Sequence, residues 1–425
     1  MSILTKKAIR DVSSLGWRAV AISFITALGV GQLGGGFMAR DSLAHTRDFY
    51  YESLKLADLD VYFTAANAKE LPRLPLRGAK HVARFVYQTS LDMPGKEPVS
   101  IVLIHQRQTD RYAVNDVKLL EGSRLKDDDK EGILIDRSFA QEHRIKVGDT
   151  IGLRSMGYPV QFTVRGIVIS PEYLVPMGSP HEMIPIKGSL GVAFATMGRI
   201  EENFGYPLYN NLSFLFDPKG GIDKDSVLKE LKGLEINRVS GRKDQFSYKW
   251  LEQDLKAFNV FTPAVVFLFG MVVCVVTIMV FNRLVQGQRR EIGVLMALGN
   301  PRRRIFYAFM LTSLALGLLG GLIGIVLVPF NCWAWANTVG AYLEMPPVLY
   351  VYPVQFFIAA FLIGVLLPVV SSILPLYEIF KLTPQDAIRH TESGRSLTKE
   401  LDIFRLFAFR SLAFRYSVRN LVRRP

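Results

Sequence analysis

Four long uncharged stretches set the rhythm of this chain. They cover residues 19–39, between Arg18 and Arg40; 257–282, between Lys256 and Arg283; 305–343, between Arg304 and Glu344; and 345–377, between Glu344 and Glu378. About 20 apolar helical residues cross a hydrocarbon core of ~30 Å. The pattern therefore predicts four transmembrane helices, over 19–39, 257–282, 305–328 and 354–377, with a short loop at 329–353. Residues 40–256 follow a different rhythm. Short apolar runs predict strands at 60–64, 99–105, 132–136, 150–153, 160–169, 191–196 and 211–216. Helical spacing appears at 137–144, 197–204 and 223–232. Along 160–169, Val160, Phe162, Val164 and Gly166 alternate with Gln161, Thr163 and Arg165. The fold class expected is a membrane protein with four α-helical spans and a large mixed α+β extracytoplasmic domain between spans one and two.

Phe246, Trp250, Leu251, Leu255 and Phe258 fall at helical spacing just before the second span. A single unbroken helix is expected to run from the large domain into the membrane. Pro171, Pro176, Pro180 and Pro185 make 171–188 the expected mobile or contact loop.

Charge adds orientation. Lys6, Lys7, Arg10 and Arg18 precede the first span, and 283–304 holds six arginines against one acid, Glu291. The stretch 329–353 has no Lys or Arg, whereas residues 378–425 are rich in both. Cationic loops stay on the cytoplasmic side. The cytoplasmic parts are then 1–18, 283–304 and 378–425, with 40–256 outside. The net charge of +13 is explained by this topology and by attraction to anionic lipid. Nucleic acid is not expected, because the basic segments flank spans and lack a binding fold. A mean hydropathy of +0.21 with 21% charged residues suits a few spans plus a sizeable soluble domain. Cys274 and Cys332 fall in or beside spans, so the outer domain holds itself without disulfides.

Groups suited to energy conversion are missing. No G-x-x-x-x-G-K-[ST] occurs: Gly95-Lys96 has Ser90 where the first glycine belongs and Glu97 after the lysine. His181-Glu182 starts like a zinc-protease motif, but Pro185 stands where the second histidine is required. His45, His81, His105, His143, His181 and His390 are scattered and read as surface or turn residues, and Asp127-Asp128-Asp129 as a solvated loop. The four spans carry no Asp, Glu, Lys or Arg, which argues against an ion-coupled carrier. Neither catalytic nor metal-ligating residues are expected.

Two other patterns are informative. Gly31 and Gly35, then Gly317 with Gly321 and Gly320 with Gly324, are small-xxx-small pairs that let helices approach closely in lipid. They serve packing inside one subunit or at a dimer seam. Between spans two and three lies Arg289-Arg290-Glu291-Ile292-Gly293-Val294-Leu295-Met296-Ala297-Leu298-Gly299. This predicts a short amphipathic helix, basic at its start and ended by glycine, suited to docking on a soluble partner.

That segment, followed by residues 302–305 at the start of a span, resembles the cytoplasmic motif of FtsX-like, MacB-type ABC-transporter permeases. A second family motif is similar to Pro375-Leu376-Tyr377 with Leu382, Thr383, Pro384, Ala387, Ile388 and Arg389, and 132–169 resembles the family's extracytoplasmic core module. The resemblance implies a non-enzymatic multi-pass subunit of a bacterial inner membrane. It implies partner ATPases that bind ATP and Mg in the cytoplasm, a second permease unit, and a coupling helix at 289–299. The work would be mechanotransmission: export or extraction of a lipid, lipoprotein or hydrophobic compound, with a periplasmic adaptor. The alternative is regulation of an extracytoplasmic partner such as a cell-wall hydrolase. Arg405, Arg410, Arg415 and Arg419 among Phe404, Phe407, Phe409 and Phe414 resemble the lead-in to another such unit, which would make the chain half of a tandem permease. An amphipathic tail lying on lipid accounts for them equally.

Overall fold

The computed structural model describes residues 10, 12, 15–71, 78–91, 98–108, 112–155, 158–176, 186–219 and 222–383. Its described chain falls into two compact units, one drawn from 1–281 and 308–374, the other from 282–307 and 375–425.

In the larger unit, helix α1 (Trp17–Ser53) leads into strands β1 (Leu59–Asn67), β2 (Ala79–Leu91), β3 (Val99–Gln106), β4 (Lys118–Gly122) and β5 (Gly132–Asp136). Then come α2 (Arg137–His143), β6 (Thr150–Ser155), β7 (Tyr158–Ile169), β8 (Leu190–Thr196), α3 (Gly198–Phe204) and β9 (Leu208–Phe216). Helix α4 (Lys224–Glu230) and β10 (Ile236–Gly241) complete the domain. The strands form one mixed sheet in the order β10-β1-β9-β2-β3-β8-β5-β7-β4, with β6 against β2 and β7. Only β3–β8 and β5–β7 among these pairs run parallel.

Local chemistry explains the short helices. Asp136 caps α2 by accepting from Ser138 N at 2.9 Å, and Asp223 caps α4 by accepting from Ser226 N at 2.9 Å. Strand β2 joins two halves of the sheet. Its first part pairs with β9, from Ala79↔Phe216 to Arg84↔Asn211, and its second with β3, from Phe85↔His105 to Leu91↔Val99. Each half has its own core: Leu59, Val61, Phe85, Leu212 and Phe214 in one, Leu103, Ile135, Phe139, Phe162 and Val164 in the other.

Three strands were not expected, and each has a physical reason. β4 and β10 are short sheet edges whose exposed positions carry no apolar alternation. In β2 the alternation is broken by Arg84, a charge turned inward.

Three corrections concern burial and loops. His105 is fully buried, its Nδ1–H donating to the Thr196 carbonyl at 2.9 Å, and burial lowers its pKa to about 4. The first part of the proline-rich loop is anchored: Leu174 and Val175 are buried, and Val175 N donates to Ser247 Oγ at 3.0 Å. Residues 177–185, with Pro180, His181 and Pro185, lie outside the described residues, as do Gly95 and Lys96. The stretch 329–353 is not all loop, because its first part continues a helix to Tyr342.

Helices α5 (Phe246–Gly287), α6 (Arg289–Ala297), α7 (Arg302–Tyr342) and α8 (Val354–Lys381) complete the chain. Among the described residues, α1, α5, α7 and α8 are the four helices long and apolar enough to cross a membrane. At about 1.5 Å per residue, the 42 residues of α5 extend well beyond the hydrocarbon thickness.

Candidate functional site: the loop between the second and third spans

Helix α6 follows α5 after a single residue, Gln288. Glu291 lies in its first turn, where a carboxylate favours the positive end of the helix dipole. Its end is set by Gly299 at φ +85°, a left-handed conformation that costs a glycine nothing. Gly299 N then donates to Met296 O at 3.0 Å and Asn300 N to Leu295 O at 3.1 Å, satisfying the last carbonyls.

One face of α6 is covered and another is not. Ile292 and Gly293 are buried, while Val294 is 45% exposed and Leu298 74%. An apolar pair left open beside a buried one is a surface able to enter a partner's groove. Arg302, Arg303 and Arg304 open α7, where cations oppose the helix dipole. Their position is therefore not explained by helix stability.

The two predicted motifs meet here. Arg302 Nη2 donates to the Leu382 carbonyl at 2.8 Å. Phe306 packs against Phe380, ring centroids 5.3 Å apart, and Phe380 against Tyr377 at 6.0 Å. Leu376, Ile305 and Ile379 are buried, Tyr377 is exposed. Pro375 stands within α8 and Thr383 just after it. Pro384, Ala387, Ile388 and Arg389 lie outside the described residues, as does the tail that suggested a second unit. The Arg302 tie went unforeseen; residues 302–305 counted as part of the cytoplasmic motif and of the positive charge that orients the spans, with no partner assigned to Arg302.

The predicted glycines pack against other helices of this same chain. A Cβ on Gly35 would meet Cys332 N and Val328 O at 2.9 Å, and one on Gly31 would meet Leu327 Cβ at 2.9 Å, both on α7. A Cβ on Gly320 would meet Ser23 O at 2.9 Å and one on Gly324 would meet Ala27 O at 3.1 Å, both on α1. One on Gly317 would meet Val365 O at 2.8 Å, and one on Gly321 the Phe361 ring, both on α8.

Polar ties also join α1 to α5, and the sheet domain to the segment between α7 and α8. Arg47 Nη1 on α1 donates to Glu252 Oε2 on α5 at 2.8 Å, and Arg40 Nη1 to Asn259 Oδ1 at 2.7 Å. Arg137, on α2, donates through Nη2 to the carbonyls of Glu344 at 2.9 Å and Met345 at 2.6 Å, in the segment between α7 and α8. None of these long-range pairs has a local sequence signal. Among the described residues no group of three or more His, Cys, Asp or Glu side chains could hold a metal.

Residues 263–384 match the family described as FtsX-like permease C-terminal. The chain is 24% identical over 420 residues, 92% of its own length and 97% of the relative's, to an uncharacterized ABC transporter permease, YknZ, of Bacillus subtilis. Among solved structures it is similar to the extracellular domain of a noncanonic ABC-type transporter YknZ from Gram-positive bacteria, at 14% identity and TM-score 0.28. That match covers 43% of this chain and all of the other. It is also similar to the periplasmic region of MacB from Actinobacillus actinomycetemcomitans, at 11% identity and TM-score 0.27, over 47% of this chain and 92% of the other. With four membrane-length helices and the mixed sheet domain between the first two, this multi-pass protein carries an FtsX-like permease domain and is homologous to the ABC-transporter permease YknZ.

Proposed function

We propose that the chain is the moving membrane subunit of an ABC transporter, driven from the cytoplasm by a separate ATPase that grips α6. The observation that carries this reading is the run of α5, one unbroken helix from the sheet domain to the residue before α6. A continuous helix is stiff along its axis. A displacement of α6 is therefore delivered to the sheet domain, even though Pro263 removes one backbone hydrogen bond on the way. The positive loops put α6 and both chain ends in the cytoplasm and the sheet domain outside. ATP and Mg belong to the partner, and the cargo class is a lipid, lipoprotein or hydrophobic compound reached from the outer leaflet. The pairing of permease units, whether of two copies or in tandem, belongs to the same reading.

The test uses the full chain purified from native membranes, with the ATP hydrolysis that accompanies it as readout. Leu298→Glu places a charge on the exposed apolar face and is expected to remove most of that activity while the chain folds normally. Unchanged co-purifying hydrolysis would falsify the docking role. Inserting two glycines beside Gln253 should leave docking intact but uncouple the domain from it.

A further inference from the structure

The sheet domain holds a set of buried charges that mechanotransmission does not require. Arg84 sits where β2 stops pairing with β9 and starts pairing with β3. Its guanidinium is fully buried. It donates to Glu172 Oε2 at 2.6 Å and Oε1 at 2.9 Å, to Asn211 Oδ1 at 2.8 Å and to Ser213 Oγ at 2.7 Å. Asp60 Oδ1 lies 3.6 Å away. Asp60 also accepts from the Ser213 hydroxyl on Oδ1 and from Gln245 Nε2 on Oδ2, the latter at 2.8 Å.

The partners come from three places. Asp60, Asn211 and Ser213 belong to β1 and β9 in one half of the sheet. Glu172 follows β7 in the other half, and Gln245 immediately precedes α5. One buried guanidinium thus faces two carboxylates, leaving one negative charge uncompensated. Ser213 Oγ is placed to donate either way, since Asn211 Oδ1 lies 3.2 Å away and can accept its hydrogen bond.

We propose that Asp60 is a proton-binding site whose occupancy sets how firmly Arg84 clamps Glu172, and with it the two halves of the sheet. A proton taken from solvent forms an O–H bond on Asp60 Oδ1, which donates to Ser213 Oγ. The Ser213 hydroxyl then turns to Asn211 Oδ1, and Gln245 keeps its bond to Oδ2. Arg84 is left with Glu172 as a one-to-one pair, so the clamp tightens on acidification. No polar group is orphaned in either state, which lets the site titrate without unfolding the domain.

The surroundings support this. Burial, with Glu172 adding to it, pushes Asp60 from 3.8 up to about 6, against the pull of Arg84. Tyr62, Tyr173 and Arg84, which also face the cluster, do not change charge over this range. Tyr62 on β1 is raised to about 12 by burial, with Arg238 of β10 4.2 Å from its ring centroid. Burial raises Tyr173 as well, and the two carboxylates hold Arg84 protonated. Asp60 is raised above its unfolded value, so its contribution to stability is fully present below about pH 4. That contribution falls as pH rises through about 6. The shift corresponds to a proton affinity roughly a hundredfold above that of a free aspartate.

The experiment reads the full chain in lipid nanodiscs by infrared spectroscopy and by hydrogen exchange, corrected for the chemical exchange rate. Asp136, the cap of α2, is also raised to about 6 by burial, so a global melting curve would mix the two groups. On acidification from pH 7.5 to 5, a protonated-carboxyl band with a midpoint near 6 is expected, and Asp60→Asn should remove one component of it. Amides 170–176 should become several-fold better protected over the same range in the unaltered chain. In D60N their protection should be flat and high. An unchanged band in D60N overturns the proposal. So does flat protection of 170–176 in the unaltered chain, a measurement that needs no variant.

Discussion

The sheet domain and the helical bundle are held together by opposite means. At the seam of the sheet, Arg84, Asp60 and Glu172 bury full charges and satisfy them with hydrogen bonds from neighbouring strands. In the bundle, α1 and α7 meet through Gly31, Gly35, Gly320 and Gly324, backbone against backbone. The solvents explain the difference. Around the sheet, water drives apolar burial strongly enough to carry a few desolvated ions. In lipid no such drive acts between helices, and close van der Waals approach by small residues replaces it.

That contrast can be broken by mutation, most sharply at Arg84. Arg84→Met leaves two buried carboxylates without a counter-ion and should cost about 3–5 kcal/mol, read as a drop in denaturation midpoint of the full chain in detergent. Adding Asp60→Asn and Glu172→Gln should recover much of that loss; no recovery would mean that Arg84 acts by packing alone.

In the bundle the corresponding change is Gly35→Ala, where the new Cβ meets backbone atoms at 2.9 Å. About 1–3 kcal/mol is expected. Gly270→Ala is its control, since among the described residues of other segments its new Cβ would meet Leu367 Cδ2 at a comfortable 3.7 Å, and it should be neutral or slightly stabilising. Equal melting of the two variants would remove the close-approach argument.

Smaller effects sharpen the boundary between the regions. Arg137→Gln removes the charged donor to Glu344 and Met345 and should cost about 1–2 kcal/mol. Faster hydrogen exchange of 343–353 would report it. Glu344 itself sits at φ +55°, a conformation that side chains adopt only when surroundings hold them there. Leu298→Glu, on a largely exposed position, should shift stability by less than about 0.5 kcal/mol while removing most of the co-purifying ATP hydrolysis. A large stability loss there would show that the exposed face belongs to the fold and not to a partner.

Much of the architecture was legible because it rests on local pattern. Uncharged runs mark the spans, the spacing of Phe246, Trp250, Leu251 and Leu255 marks the lead-in to α5, and helical spacing marks α2 and α4, whose Asp136 and Asp223 caps the structure adds. The α6 segment was readable for the same reason, with a basic start, nine regular residues and a glycine just after them. Strand β2 was not readable, because one inward arginine defeats alternation unless its two acids, far off in sequence, are known. The same limit hid His105 inside the sheet and the Arg302–Leu382 tie at the cytoplasmic motifs.

Sequence by itself therefore determined which segments are long and apolar enough to span a membrane, and that a short amphipathic helix links two of them. These follow from solvent preference and from interactions within a few residues. Only the tertiary structure decided that β2 bridges both halves of the sheet, that Arg84 meets both Asp60 and Glu172, and that the glycines of α1 receive α7. Those outcomes depend on groups brought together from separate parts of the chain, Arg84 and Glu172 across 88 positions, and no local preference encodes which partner a buried charge or a bare backbone will find.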